Sequence, residues 1–359
     1  MNKIESLVRE NIQHLKAYSS ARSLNTTGIM MDANENPFNL FGEYAEGIDI
    51  NRYPDGANPV LRKELASLFN LEGQNLAVGN GSDELIDLLI RIFCRPGKDK
   101  IMICPPTFGM YRVAADVNDI GVCEIPLVNY DLDVEKIKAS VTENTKILFI
   151  CNPNNPTGTC VSREKIVHLC QQLHCLVIVD EAYADFMQDE SVITEIKKYE
   201  NLVVLRTLSK AYALAGARVG FAIASEYIIS LIQKVKFPYN INSLTTHCVL
   251  EALKHSEPVK ETIKILIHYR ELLQEKLMHF EDVLEILPSQ ANFLCIRFAD
   301  CDRIFLGLKK TGLIARRVNQ GALLSDAIRI SVGSESENKL LVDTLNSLLK
   351  PIKEGESGK

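Results

Sequence analysis

Lys210 lies in the run TLSKAYALAGARVG, between two apolar segments. Hydroxyls at Thr207 and Ser209 precede it, and the guanidinium of Arg218 follows eight residues on. A lysine amine condenses with a carbonyl, while a hydroxyl and a guanidinium suit a phosphate. On its own Lys210 also reads as an ordinary solvated surface charge. Other stations along the chain change that balance.

In VGNGSDELIDLLIRIF, Gly79 and Gly81 allow a tight turn, and Ser82, Asp83 and Glu84 open an apolar-periodic helix. The free N–H groups of such a first turn can hold phosphate oxygens, although a plain capped helix has the same look. The segment lacks both the GxGxxG spacing and the GK[ST] ending, so it is neither a dinucleotide fingerprint nor a P-loop. CPPTFGMY follows the strand-like IMIC and places Phe108 and Tyr111 where a ring can stack on a flat heterocycle or merely pack a loop. In ILFICNPNNPTG, Asn155 offers an amide to a ring hydroxyl just after an apolar strand, and Gly158 lets the chain turn. In CLVIVDEAYADF, Asp180 and Glu181 follow a strongly apolar strand, where an unpaired carboxylate is costly. Asp180 would be stabilised by a protonated pyridine nitrogen, with Tyr183 near the ring oxygen; a carboxylate capping the next segment is the plainer alternative.

An aromatic plate, an amide, a carboxylate, an amine and a phosphate nest, in that setting, match the parts of pyridoxal phosphate. Strands must bring them together. Strand patterns at 100–104, 122–126, 147–151, 175–180, 202–206 and 219–224 are β-branched and lack strict polar alternation, as in a sheet covered on both faces. Helical patterns at 59–69, after GNGSDE, at 163–173 and at 226–236 give an α/β order. After about residue 245 a long helical pattern runs to Phe280 with a break expected at Pro258, and short strands follow near 283–287 and 292–298. The expected division is an N-terminal arm (1–30) packing with a small domain, a large cofactor-binding domain (31–245) and a smaller α+β domain (246–359).

The 359 residues suffice for two cores, and a formal charge of -6 gives no general attraction to nucleic acid or anionic membrane. Lys3, Glu5, Arg9 and Glu10 near the start argue against a secretory signal or membrane anchor. Ten cysteines without framework spacing suggest reduced thiols and a cytoplasmic setting, and seven scattered histidines without CxxC or HExxH give no expected metal site.

DANENPFN, RYPDG, GSDE, PPTFGMY, NPNNPTG, DEAYADF, RTLSKAYALAGARVGF and AIRISVG span nearly the whole chain. With them the sequence resembles the fold type I pyridoxal-phosphate aminotransferases and, among these, the histidinol-phosphate aminotransferases. The resemblance implies an α/β large domain with a central, mostly parallel sheet and a smaller α+β domain. It implies that Lys210 holds pyridoxal 5'-phosphate as a Schiff base, that Asp180 pairs with its ring nitrogen, and that Asn155 and Tyr183 meet its ring oxygen. Gly81, Ser82, Asp83, Ser209 and Arg218 would receive the phosphate, with Thr207 alongside and Phe108 stacking on the ring. Tyr53 would cross a homodimer interface to the neighbour's cofactor.

For the substrate, the resemblance implies Arg329 at a carboxylate, Arg316 at the phosphate with Tyr18 as helper, and Asn34 at the mouth. Arg317, next to Arg316, is the competing choice, since alternate strand residues face opposite ways. The implied reaction moves an amino group between histidinol phosphate and 2-oxoglutarate, giving glutamate. An aromatic or broad amino-acid aminotransferase and a phosphothreonine-type decarboxylase use the same cofactor shell and stay open here. Two departures stand out: Phe108 where the family commonly has tyrosine, and NENPFN where a glycine commonly follows the proline.

Overall fold

Two sheets organise the residues described by the computed structural model, which are 4–15, 47–188, 191–318 and 322–349. A 3-10 turn at Glu5–Leu7 and the single-turn α1 (Glu10–Gln13) come first, followed by α2 (Pro59–Ser67). The chain then alternates through β1 (Leu76–Asn80), α3 (Ser82–Phe93), β2 (Lys100–Ile103), α4 (Met110–Val117), β3 (Gly121–Glu124), α5 (Val134–Ser140), β4 (Thr145–Cys151), α6 (Arg163–Gln172) and β5 (Leu176–Asp180). β6 (Leu202–Thr207), β7 (Val219–Ile223) and α7 (Glu226–Val235) complete this unit.

The seven strands lie in the order β1-β7-β6-β5-β4-β2-β3. β7 is antiparallel to both its neighbours, while the remaining pairs are parallel. Successive residues of β5 serve two cores: Leu176 and Ile178 pack in the layer with α3, α4 and α7, and Val177 and Val179 in the layer with α2, α5 and α6. That two-sided burial explains why these strands read as unbroken apolar runs.

The second unit comprises α8 (Ser243–Leu253), α9 (Ser256–Leu277), β8 (Val283–Ile286), β9 (Phe293–Phe298), α10 (Cys301–Lys310), β10 (Arg316–Val318), β11 (Ala327–Ser331) and α11 (Glu335–Leu348). Its four strands are antiparallel in the order β10-β11-β9-β8, and Leu273, Leu277, Ile304, Leu308, Leu341 and Leu345 bring α9, α10 and α11 into one core with them. This is the division into an α/β unit and a smaller α+β unit that the resemblance implies.

Two expectations are corrected and one strand is added. The long helical pattern breaks at Lys254–His255, and Pro258 sits in the first turn of α9, where its missing N–H would have had no partner anyway. Residues 4–15 pack with the large unit, not the small one. Ile4, Leu7, Val8 and Ile12 join the α3–α7 core, the N–H of Arg9 donates to the carbonyl of Ile92, and Lys234 Nζ donates to the carbonyls of Ile12 and Gln13. β1 is absent from the expected strands: Gly79 is held extended by the antiparallel partner β7, and the turn falls at Gly81. The ten cysteines form no disulfide; seven are buried and Cys248 is exposed.

Candidate active site

β1, β2, β4, β5 and β6 share one direction, so their C-terminal ends open along one edge of the sheet. Because β7 runs the other way, its start opens there instead, and this puts Arg218 beside Thr207 and Gly81. A cavity of about 630 Å³ occupies that edge. Gly81, Ser82, Asp83, Phe108, Asn155, Asp180, Tyr183, Thr207, Ser209, Lys210, Arg218, Arg316 and Arg329 all line it.

The nest is built by glycines. Gly81 (φ +78°) caps α3 without a side-chain bond, leaving the first-turn N–H groups open to an anion. A Cβ on Gly81 would stand 2.6 Å from Arg218 Nη2, so the guanidinium approaches the turn only because the side chain is absent. Arg218 itself is left-handed (φ 56°, ψ 44°), a costly conformation for a residue that carries a Cβ, and its Nη2 lies 3.5 Å from Asp83 Oδ2. Thr207 Oγ1 accepts the N–H of Ser209 at 3.1 Å and lies 3.0 Å from the Ser209 hydroxyl, which turns that serine into the cavity.

The sequence reading overlooks Gly220. It pairs with Gly79 across β1 and β7, and a Cβ there would come within 2.2 Å of the Ser82 nitrogen. Gly220→Ala is therefore expected to push the nest open and weaken phosphate-bearing ligands roughly tenfold or more, the loss of one charge-assisted bond. Titration with pyridoxal phosphate checks this, and an unchanged affinity would remove the nest from the binding site.

Asp180 ends β5 fully shielded from solvent. Burial drives its carboxyl up to about 6, while hydrogen bonds from Tyr111 and from the Ala182 N–H pull the other way. Tyr111 Oη donates to Oδ2 at 2.8 Å and the Ala182 N–H to Oδ1 at 3.1 Å, leaving lone pairs on both oxygens. Tyr111 is therefore not a second plate for a ligand. It is buried, stacked on Phe149 (centroids 4.6 Å, 8°), and meets Phe108 edge-on at 5.5 Å. Glu181 points the other way, into a closed network with Arg206 (3.1 Å), Ser191 and the Val192 N–H.

Lys210 opens to the cavity with Nζ 5.4 Å from the Tyr183 ring centroid. Its amine is made less basic by desolvation first and by Arg329 and Arg218 next, against the pull of Asp180 and Asp83. Of the asparagines in NPNNPTG, Asn152 is spent on Val161 and Asn154 on Thr107, Pro106 and Thr157. Only Asn155 is delivered to the cavity, its backbone N–H on Cys151 Sγ and its Nδ2 3.5 Å from the Tyr183 hydroxyl. Burial raises the Tyr183 phenol well above its ordinary range, with Cys151 adding to the effect.

Arg329, on β11, donates from Nη1 to Asn155 Oδ1 at 2.5 Å, joining the small sheet to the strand-end loops. In the register of β10 and β11 it stands opposite Arg316, so both guanidinia leave the same face. Arg317 leaves the other face. It borders the cavity, but Nε is held by Asp302 at 3.1 Å and Nη1 by the carbonyls of Val318 and Ala327. Tyr53 is not among the described residues that line the cavity; it is half-exposed and stacked on Tyr239 (4.8 Å, 24°). Tyr18 and Asn34 lie outside the described residues. Among the described residues no three His, Cys, Asp or Glu side chains are grouped to hold a metal, and no helix is long and apolar enough to cross a membrane.

Comparison with known proteins agrees with this geometry. The sequence pattern of the family "Aminotransferase class I and II" matches residues 27–345. The chain is similar to the histidinol-phosphate aminotransferase of Cytophaga hutchinsonii, with 43% identity over 347 residues, 96% of this chain and 99% of that one. Among solved structures it resembles the histidinol-phosphate aminotransferase of Clostridium acetobutylicum (TM-score 0.77, 26% identity, 83% and 91% of the two chains). The fold is also that of the Sinorhizobium meliloti histidinol-phosphate aminotransferase solved with pyridoxal-5'-phosphate (TM-score 0.78, 24% identity, 88% and 90%).

Proposed function

This chain belongs to the class I and II aminotransferases, and on that premise we propose that it is a histidinol-phosphate aminotransferase using pyridoxal 5'-phosphate. It exchanges an amino group between L-histidinol phosphate and 2-oxoglutarate, giving imidazole acetol phosphate and glutamate in histidine biosynthesis. We place it in the cytoplasm as a homodimer.

The residues fit that cofactor. A glycine nest that a Cβ would close takes the phosphate with Ser209 and Arg218, and a buried carboxylate with lone pairs to spare takes a protonated ring nitrogen. Asn155 and Tyr183 lie together where a ring oxygen would sit, and Phe108 supplies an apolar face. When bound, pyridoxal phosphate supplies an aldehyde that condenses with amines and a ring that withdraws an electron pair. Lys210 Nζ, kept nearer the neutral amine by desolvation and by Arg329 and Arg218, would take the proton from the substrate carbon that bears nitrogen. Asp180, kept in place by Tyr111 and Ala182, would keep the ring nitrogen protonated. The two substrates occupy one cavity in turn, so turnover is ping-pong.

The observation that carries the substrate reading is the pairing of Arg316 with Arg329 on one face of the small sheet, beside Lys210. Histidinol phosphate brings a phosphate and no carboxylate, whereas glutamate brings two carboxylates. Two neighbouring guanidinia accept either, each contact contributing about 1.5–3 kcal/mol. Arg316→Gln is expected to raise KM for histidinol phosphate roughly 10- to 100-fold on that scale. Arg317→Gln should leave it within about twofold, since its guanidinium is occupied elsewhere. Steady-state kinetics on both variants check this, and equal effects would refute the facing.

The function itself is tested by offering the cofactor-loaded protein histidinol phosphate, phenylalanine or threonine phosphate, each with 2-oxoglutarate. Glutamate formed chiefly with histidinol phosphate supports the proposal. Preference for phenylalanine would make it an aromatic aminotransferase, and carbon dioxide from threonine phosphate would make it a decarboxylase.

A further inference from the structure

Lys236, the residue capping the C-terminus of α7, is only 7% exposed. Its Nζ donates to the carbonyl of Gly56 at 2.8 Å and to Asn240 Oδ1 at 2.8 Å. Asn240 turns its Nδ2 to Glu84 Oε2 at 2.9 Å and to the carbonyl of Val78 at 3.3 Å. The same Glu84 oxygen accepts the N–H of Asn80 at 2.5 Å, one residue before the nest glycine Gly81. A continuous path of hydrogen bonds thus runs from the RYPDG turn to the phosphate nest.

Tyr239 closes the other side of that turn. It is left-handed (φ 62°), which presents its ring to Tyr53 at 4.8 Å, and a Cβ on Gly56 would meet that ring at 3.5 Å. A buried ammonium bonded to neutral oxygens is an expensive way to fill space, since an apolar side chain of similar size would avoid the desolvation. Burial also lowers this amine to about 8, against the pull of Glu84 and Asp55. What the ammonium does, and a methionine cannot, is hold the Gly56 carbonyl and the Asn240 amide at once.

We infer that Lys236, Tyr239 and Asn240 form a clasp that fixes the Tyr53 turn to the nest of its own subunit, and so positions Tyr53 for the phosphate of the neighbour's cofactor. The inference rests on the reading that Tyr53 crosses the dimer interface. Lys236 is then a positioning residue whose influence is confined to the phosphate end of the ligand.

The test compares full-length wild type, Lys236→Met, Tyr53→Phe and the double variant, freed of cofactor and titrated with pyridoxal phosphate and with pyridoxal, which lacks the phosphate. Lys236→Met is expected to raise the dissociation constant for pyridoxal phosphate about tenfold and to leave that for pyridoxal within about twofold. Tyr53→Phe should reproduce this, and the double variant should be no worse than either single one. A parallel rise for both ligands would reduce Lys236 to a structural role and overturn the inference. So would multiplicative effects in the double variant, or a Tyr53→Phe effect with none from Lys236→Met. If Tyr53→Phe leaves pyridoxal phosphate binding unchanged, the interface reading of Tyr53 fails first, and the clasp's role with it. Should Lys236→Met not fold, Asn240→Ala cuts the same path and the same comparison decides.

Discussion

Replacing Lys210 with alanine is expected to abolish turnover, by at least about ten-thousand-fold, and to do so with pyridoxal phosphate added in excess. Two losses combine: no amine remains to hold the cofactor covalently, and no base remains beside the substrate carbon. Asn155, Tyr183, Asp180 and the nest are untouched by the change, so non-covalent binding should persist. Borohydride reduction followed by peptide mass analysis separates the two outcomes. In wild type the cofactor's mass is fixed on the peptide carrying Lys210, and in Lys210→Ala it is fixed nowhere. A variant that kept turnover, or a fixed mass on another lysine, would sink the assignment.

Asp180→Asn is expected to have opposite effects on stability and activity. In the fold the carboxyl titrates near 6, against 3.8 for an ordinary aspartate. Between those values the folded chain holds a proton that the unfolded chain has lost, so stability falls as pH rises through the window, and the whole deficit is present above pH 6. At about 1.4 kcal/mol per unit the deficit is on the order of 3 kcal/mol in protein free of cofactor. An asparagine keeps the shape and never ionises. The cofactor-free variant should therefore withstand denaturant better than wild type at pH 7.5, and the gap should narrow as the pH falls towards 4. Once loaded, the variant lacks the anion that keeps the ring nitrogen protonated, and the first half-reaction with histidinol phosphate should slow roughly 100- to 1000-fold. Denaturant titration and single-turnover absorbance check the two halves. A half-reaction at the wild-type rate would refute the pairing with the ring nitrogen, and a destabilised variant would refute the strain at Asp180.

Lys210, Asp180, Asn155 and the Gly81 turn can be found by reading because each follows an apolar run that stops abruptly, and a polar group at such a stop lies at a sheet edge. The family motifs add the identity of the cofactor they would hold. The limits are just as specific. The run AGARVG cannot tell that Arg218 adopts a left-handed turn, nor can NPNNPTG tell which of three amides faces the cavity. The pattern leaves Tyr111 open between stacking on a ligand and packing a loop, and it is the donor that fixes Asp180.

Consecutive residues announce most strands of the large sheet and several of its helices, the burial of that sheet on both faces, and the set of groups able to hold a phosphate, an aldehyde and a ring nitrogen. These follow from local pattern, because burial on both faces and turn chemistry are written in consecutive residues. Which members of that set share a cavity, and which way each one faces, follows from strand register and packing. Arg316 is separated from Arg317 by its place opposite Arg329, Gly220 is required by the backbone of Ser82, and the N-terminal residues choose the large unit through contacts with α3 and α7. Each of these rests on a neighbour brought close by strand register or helix packing from far along the chain, and such neighbours leave no local pattern to read.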